Sequence, residues 1–344
     1  MSSELQKPGG IPEDVQIGIQ LEGIFTPQFT KKREAAFNIT GSNDHERCTR
    51  FVHYTTAEAA LSIIQTKRIW MRKTSCMSDY LEVEHGFEAL RKVFGDTSKL
   101  DVFSKALDGC APGAVEEAIQ LFNGHLGNIR SSTYIASISE HNLEEDIHGR
   151  LSMWRAFGGN TGRVAIVFKL PWYSAGLFEA MKTLGLFFSP VVYMADSDYD
   201  NEFNTIIQNI NANCDLLQAV DNERIRNNIF HMLLTGTVCS KHSGFREEKE
   251  WRVMHFPILW NSALIESEIK VIGGVPQKIY KLPLDATVSP SLAELDFSRI
   301  FDRLIIGPTE YPWAMFEAFS DALSNIGVKD ANKQVCISNI PIRI

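Results

Sequence analysis

Hydrophobic and polar positions along the chain change period several times, and each change predicts an element. Arg50-Phe-Val-His-Tyr54 is a run of β-formers, and Thr56 follows where a helix N-cap belongs. Ala57 to Gln65 carries apolar residues at helical spacing, and Ile69 to Arg72 returns to a strand. Further helices are predicted over Asp79–Phe94, Val102–Leu107, Ala114–Leu126, Leu151–Phe157 and Trp313–Ile326, with one long helix over Asp200–Leu234. Strands are predicted over Thr133–Ser137, Arg163–Leu170, Leu186–Tyr193, Glu250–Phe256 and Arg303–Ile306.

Strands and helices intermingle without βαβ alternation or an internal repeat, so the expected class is α+β with a mixed or antiparallel sheet. Residues 1–45 are polar and rich in Gly and Pro, which predicts a flexible N-terminal arm with one short strand at Val15–Gln20. No linker is evident beyond that point. The expected layout is one catalytic-like domain over 46–344 with a helical insertion at about 200–235.

Composition narrows the class. At 344 residues with 44% hydrophobic and 22% charged positions, the chain is ordinary for a globular protein. A net charge of −8 argues against a broad grip on a phosphate backbone, while leaving room for a local basic groove. Six scattered cysteines lack any C-x-x-C pair, which disfavours zinc ribbons and points to reduced thiols. The N-terminus lacks a secretory pattern, and the longest apolar segment, Leu184–Ala195, contains Pro190 and reads as a buried strand. A cytoplasmic protein with no membrane partner is expected.

Several catalytic signatures are absent, among them G-x-x-x-x-G-K-[ST], G-x-S-x-G and H-E-x-x-H. Gly158-Gly-Asn-Thr-Gly162 precedes a strand, so a hairpin turn is the favoured reading over a phosphate cradle. Four segments carry candidate chemistry. His53 ends a strand before a helix, where an imidazole can be held rigidly and still meet a ligand; a capping or carbonyl-bonded histidine is the plainer account. Asp79 and Glu82 share a helical face, with capping favoured over a ligand role. Trp154 and Phe157 stand at helical spacing, as an aromatic wall for a ring or as ordinary core. Glu248 and Glu250 fall on one face if the segment is a strand, and a fixed carboxylate there can stabilise an oxocarbenium-like transition state. The alternative is an edge strand with Lys249 and Arg252 offering ion pairs.

In order along the chain, His53-Tyr54-Thr55, Asp79–Glu82, Tyr134–Glu140, Met153-Trp154, Gly162–Phe168, Lys241-His242, Phe245, Glu248–Arg252 and Ile305–Pro308 resemble a bacterial family catalogued as a domain of unknown function. The His-Tyr-Thr start and the Glu-Lys-Glu segment also look like the ADP-ribosyltransferase superfamily. That resemblance implies an ADP-ribosyltransferase-like sheet core with helical insertions, and NAD as substrate. It implies that His53 holds the NAD ribose, Glu250 is the catalytic carboxylate, and Glu248 engages the acceptor. Tyr54, Thr55 and Ser137 would line the cofactor, with Trp154 or Phe157 against nicotinamide. Ser137-Ile138-Ser139 stands in for the superfamily's serine-rich strand.

The leading expectation is therefore an NAD-dependent ADP-ribosyltransferase of bacterial defence, toxin or effector type. Its acceptor would be a protein or nucleic acid, and an antitoxin or regulatory partner is compatible with that role. One alternative is a metal-dependent nuclease or phosphotransferase using Asp79, Glu82, His242 and Glu250. Another is a non-enzymatic sensor module that binds a nucleotide.

Overall fold

Thr56 closes one strand and opens the next helix at a single residue. It ends β1 (Thr49–Thr56), and its Oγ1 accepts the Ala59 N–H at 3.2 Å to cap α3 (Ala57–Thr66). Lys67 stops that helix in the left-handed region, at φ 50, and β2 (Arg68–Lys73) follows. This computed structural model describes residues 13–38, 49–77, 80–156, 162–171 and 174–341.

Before β1 the chain forms α1 (Glu13–Phe25) and α2 (Pro27–Asn38). The strand expected at Val15–Gln20 is thus corrected to helix. Val15, Ile17 and Ile19 alternate as a strand would, but Leu21, Ile24 and Phe25, at helical spacing, are the positions that become buried. After β2 come α4 (Tyr80–Phe94), α5 (Thr97–Asp108), α6 (Ala114–Ser131), β3 (Tyr134–Glu140), α7 (Leu151–Ala156) and β4 (Arg163–Leu170). Next are α8 (Ala175–Leu184), β5 (Leu186–Pro190) and β6 (Val192–Met194), so the strand expected over Leu186–Tyr193 is broken at Val191.

The single helix expected over Asp200–Leu234 is three: α9 (Asp196–Ala212), α10 (Cys214–Ala219) and α11 (Asn222–Val238). Asn213 interrupts the first pair at φ −120, and Asp221 caps the third helix by accepting the Arg224 N–H. The chain finishes through β7 (Ser240–His242), β8 (Glu250–His255), β9 (Glu266–Ile272), β10 (Val275–Pro283), α12 (Phe297–Ile300), β11 (Phe301–Ile306), α13 (Pro312–Asn325) and β12 (Val335–Ile337).

The chain divides into two compact units, where the sequence suggested an arm and one domain. A helical unit gathers Met1–Lys32, Glu82–Leu126 and Met194–Lys241, and so takes in the expected insertion together with two further segments. Within it α4 and α11 cross closely. A Cβ on Gly86 would sit 2.0 Å from the Thr237 carbonyl oxygen, so only glycine fits there.

The other unit, formed by Arg33–Leu81, Gly127–Tyr193 and His242–Ile344, carries the sheet. Among the described residues its ten strands run β12-β11-β4-β1-β3-β2-β10-β9, with β8 also on β3 and β5 on β8. The sheet is mixed but mostly antiparallel; β11 and β12 are a parallel pair. Ile166 and Phe168 face a core with Ile64, Leu184, Phe297 and Leu323, while Val52, Tyr54, Ala165 and Val167 pack on the opposite side with Trp154. Each such Ile, Leu, Val or Phe side chain contributes about 1.5–3 kcal/mol on burial.

One feature of this sheet positions the site. β8 runs along all of one side of β3, from Tyr134↔His255 to Ser139↔Glu250. The other side of β3 is shared: β1 pairs only at Phe51↔Glu140 and Val52↔Ser139, and β2 only at Arg72↔Ile135 and Lys73↔Tyr134. The sheet therefore forks at the middle of β3, around Ser137.

Candidate functional site

The fork leaves the Ser137 carbonyl facing neither β1 nor β2 in register, and a carbonyl in that position needs a donor. His53 supplies it, donating from Nδ1 at 2.9 Å. That bond fixes the tautomer of the neutral ring, with the proton on Nδ1 and a lone pair on Nε2. Burial holds the His53 imidazole below its ordinary value, with the Ser137 carbonyl pulling weakly the other way.

Ser137 acts a second time through its hydroxyl, which donates to Glu250 Oε1 at 2.6 Å. Glu250 begins β8, and its own N–H donates to the Tyr193 hydroxyl at 2.8 Å. Its carboxylate is gripped by Arg252, Nε to Oε1 at 2.9 Å and Nη2 to Oε2 at 3.1 Å. Glu250 and Arg252 are only 5% and 2% exposed, so this is a buried two-point ion pair. Arg252 is an ion-pair partner, as the alternative had it, but β8 is buried between β3 and β5 and is neither solvated nor at an edge. His53 and Glu250, far apart in sequence, are thus joined through one residue, Ser137.

The other expected residues divide. Glu248 does not share a strand face with Glu250. It ends a 3-10 helix over Ser243–Glu248, and Lys249 turns the chain through the left-handed region at φ 45, so the period-two rule fails before β8 starts. Trp154 is core, the reading its spacing favoured, and not the nicotinamide wall that the resemblance implied. It is 1% exposed, its Nε1 donates to the His148 carbonyl at 2.7 Å, and its ring packs on Tyr54. A Cβ on Gly149, itself at φ +65, would lie 2.7 Å from that ring, so the indole is closed in from this side too. Tyr54 is also buried, its hydroxyl accepting the Arg150 N–H, and burial pushes it up to about 12. Thr55 stays partly exposed beside His53. Phe157, Asp79 and most of the turn at Gly158–Gly162 lie outside the described residues, as does the Glu82 side chain.

Arg150 was missed by sequence reasoning. Its Nη1 donates to the Glu247 and Glu248 carbonyls, both at 3.0 Å, and its Nη2 to the Glu140 carbonyl at 2.8 Å. Glu145 pairs with the same guanidinium at 3.0 Å. One side chain thereby ties the 3-10 turn before Glu250 to the end of β3. Nothing in local pattern marks such a residue, because all its backbone partners but one are distant in sequence. Tyr193, the last residue expected in a strand, carried no visible signal either.

Residues 153–253 match the model of a family described as Protein of unknown function (DUF2971). The matched segment runs from α7 to β8 and so includes Glu250 and Arg252, but neither His53 nor Ser137. The resemblance to an uncharacterised family, drawn above over a longer stretch, is matched over this shorter one. No curated protein and no solved structure matches the chain, and the family match does not support the likeness to ADP-ribosyltransferases.

A cavity in the sheet unit is lined by Ile69, Ala136, Ile138, Phe168 and Val253, among others. Of these, Ala136, Ile138 and Val253 flank Ser137 and Arg252 on β3 and β8, and by strand alternation they point to the opposite face from Glu250. Among the described residues no three His, Cys, Asp or Glu side chains gather as metal ligands, and no helix is long and apolar enough to cross a membrane.

Proposed function

We propose that this chain is an NAD-dependent ADP-ribosyltransferase whose reacting groups are His53 and Glu250, set by Ser137. The observation that carries the reading is the double use of Ser137: its carbonyl anchors the imidazole and its hydroxyl anchors the carboxylate. Breaking the nicotinamide–ribose bond builds positive charge on the anomeric carbon. A carboxylate locked by Ser137 and Arg252 is a pre-oriented anion for that charge, with no reorganisation needed at the moment of reaction. The His53 Nε2 lone pair is suited to accept a ribose hydroxyl proton in a hydrogen bond, since Nδ1 is committed to the strand. Nicotinamide leaves with the bonding electron pair, and a nucleophile on a protein or nucleic-acid acceptor forms the new bond to the same carbon.

The reading makes a structural demand. Glu250 has 6% of its side chain open, so a ribose hydroxyl must compete for Oε2 with Arg252 Nη2 at 3.1 Å. The same ion pair favours a second reading, in which the scaffold binds a nucleotide without cleaving it. Purified chain incubated with NAD and cell extract separates the two. Nicotinamide release that disappears in both His53→Ala and Glu250→Gln supports the transferase; NAD bound and recovered intact supports the sensor.

A further inference from the structure

The helical unit encloses a second candidate site. α1, α2, α4, α9 and α11 surround a cavity of about 70 Å³ that opens to solvent. Its walls are apolar and include Phe25, Phe29, Phe94, Phe203, Ile206 and Met232. Phe94 and Phe203 meet edge to face at 6.2 Å, which fixes the ring positions on one side. An apolar hollow with a few convergent polar groups is the usual form of a small-molecule site.

The polar group that decides the ligand is Glu202. Its Oε1 accepts the Gln28 N–H at 3.1 Å, at the start of α2. Among the described residues it has no ion-pair partner, and burial pushes its carboxyl up with only Gln28 opposing. Glu202 is half-buried; a partly desolvated carboxylate without a cation is costly, and a ligand that brings the cation removes that cost. An anionic ligand would meet repulsion there, and a neutral one would leave the carboxylate uncompensated. Phenyl rings around the space also favour a cationic or aromatic guest.

We propose that the helical unit binds a small amphipathic amine, its ammonium on Glu202 and its apolar body among Phe25, Phe29, Phe94 and Phe203. This site is independent of His53 and Glu250. The test titrates the full chain with phenethylamine and, separately, with phenethyl alcohol, following heat and thermal shift. The amine is expected to bind about tenfold or more tightly than the alcohol. Glu202→Gln, which keeps the Gln28 contact, should erase that preference. Ala89→Phe, at a buried wall position, should abolish binding of both compounds while circular dichroism shows the fold retained. Equal affinity for amine and alcohol in the wild type, no binding at millimolar amine, or an undiminished preference in Glu202→Gln would each overturn the proposal.

Discussion

Ser137 and Glu250 share a hydrogen bond of 2.6 Å across the β3–β8 ladder, although their backbones are not directly paired there. Ser137 stands opposite Arg252 and Glu250 opposite Ser139, so the bond is a diagonal contact within one face. Ser137→Ala removes one donor and leaves Arg252 in place. The expected loss of folding stability is about 1 kcal/mol by urea denaturation. If Ser137 positions the reacting carboxylate, nicotinamide release falls by about tenfold or more with KM for NAD little changed. A KM effect with unchanged kcat would make Ser137 a ground-state binding residue instead.

Arg252 and Glu250 form a unit in the same buried face. Arg252→Leu removes the two-point guanidinium contact from the buried Glu250 carboxylate, and a loss of about 3 kcal/mol is expected. Glu250→Gln made in that background should recover much of it, because the buried charge goes with the carboxylate. The double-mutant cycle reads the coupling directly. Additive losses would show that each side chain is satisfied by other groups.

The legible parts of this fold are those where local pattern and burial agree. β4 over Arg163–Leu170 is strand by composition and is buried on both faces, so nothing competed with its periodicity. Thr56 was readable because a cap needs only its own helix. The hairpin of β9 and β10 was overlooked, though Glu266–Ile272 and Val275–Pro283 flank Gly273-Gly274, and both glycines take positive φ. That signal was present in the sequence. The fork at Ser137 was not, since it depends on where β1 and β2 stop pairing with β3. Glu248 misled for a local reason: one left-handed residue, Lys249, resets the face of everything before it. Trp154 is core, as its helical spacing favoured, and it was the resemblance that set it against nicotinamide.

His255 gives the fold a defined acid limit. It is fully buried on β8, packs edge to face on Tyr280 at 4.8 Å, and burial pushes its imidazole from 6.5 down to about 4, with Gly185 backbone pulling the other way. A histidine lowered in the folded state binds more protons when unfolded, so its contribution is complete above pH 6.5 and is lost as pH falls toward 4. The full shift corresponds to about 3 kcal/mol. His53 and His141 are lowered by burial in the same direction and add to the slope. Thermal midpoints measured from pH 7 downward should therefore drop steeply across that window, and His255→Leu should flatten the curve. An unchanged slope in His255→Leu would assign the acid sensitivity to other groups.

Arg150 should control the turn that delivers Glu250 to the sheet. Its guanidinium holds the Glu247 and Glu248 carbonyls and the Glu140 carbonyl together, and Glu145 keeps it aimed. Lysine keeps the charge but cannot span three carbonyls and a carboxylate at fixed angles. Arg150→Lys is expected to leave the sheet folded while loosening Ser243–Glu248, a segment with Phe245 already 45% exposed. Limited proteolysis should then cut after Arg246 or Lys249 faster than in the wild type, with far-ultraviolet circular dichroism unchanged. Hydrogen exchange at the Glu250 amide should stay slow, because Tyr193 still accepts it. Equal cleavage rates in the two proteins would mean that the left-handed turn at Lys249 and the start of β8 hold this segment without the arginine.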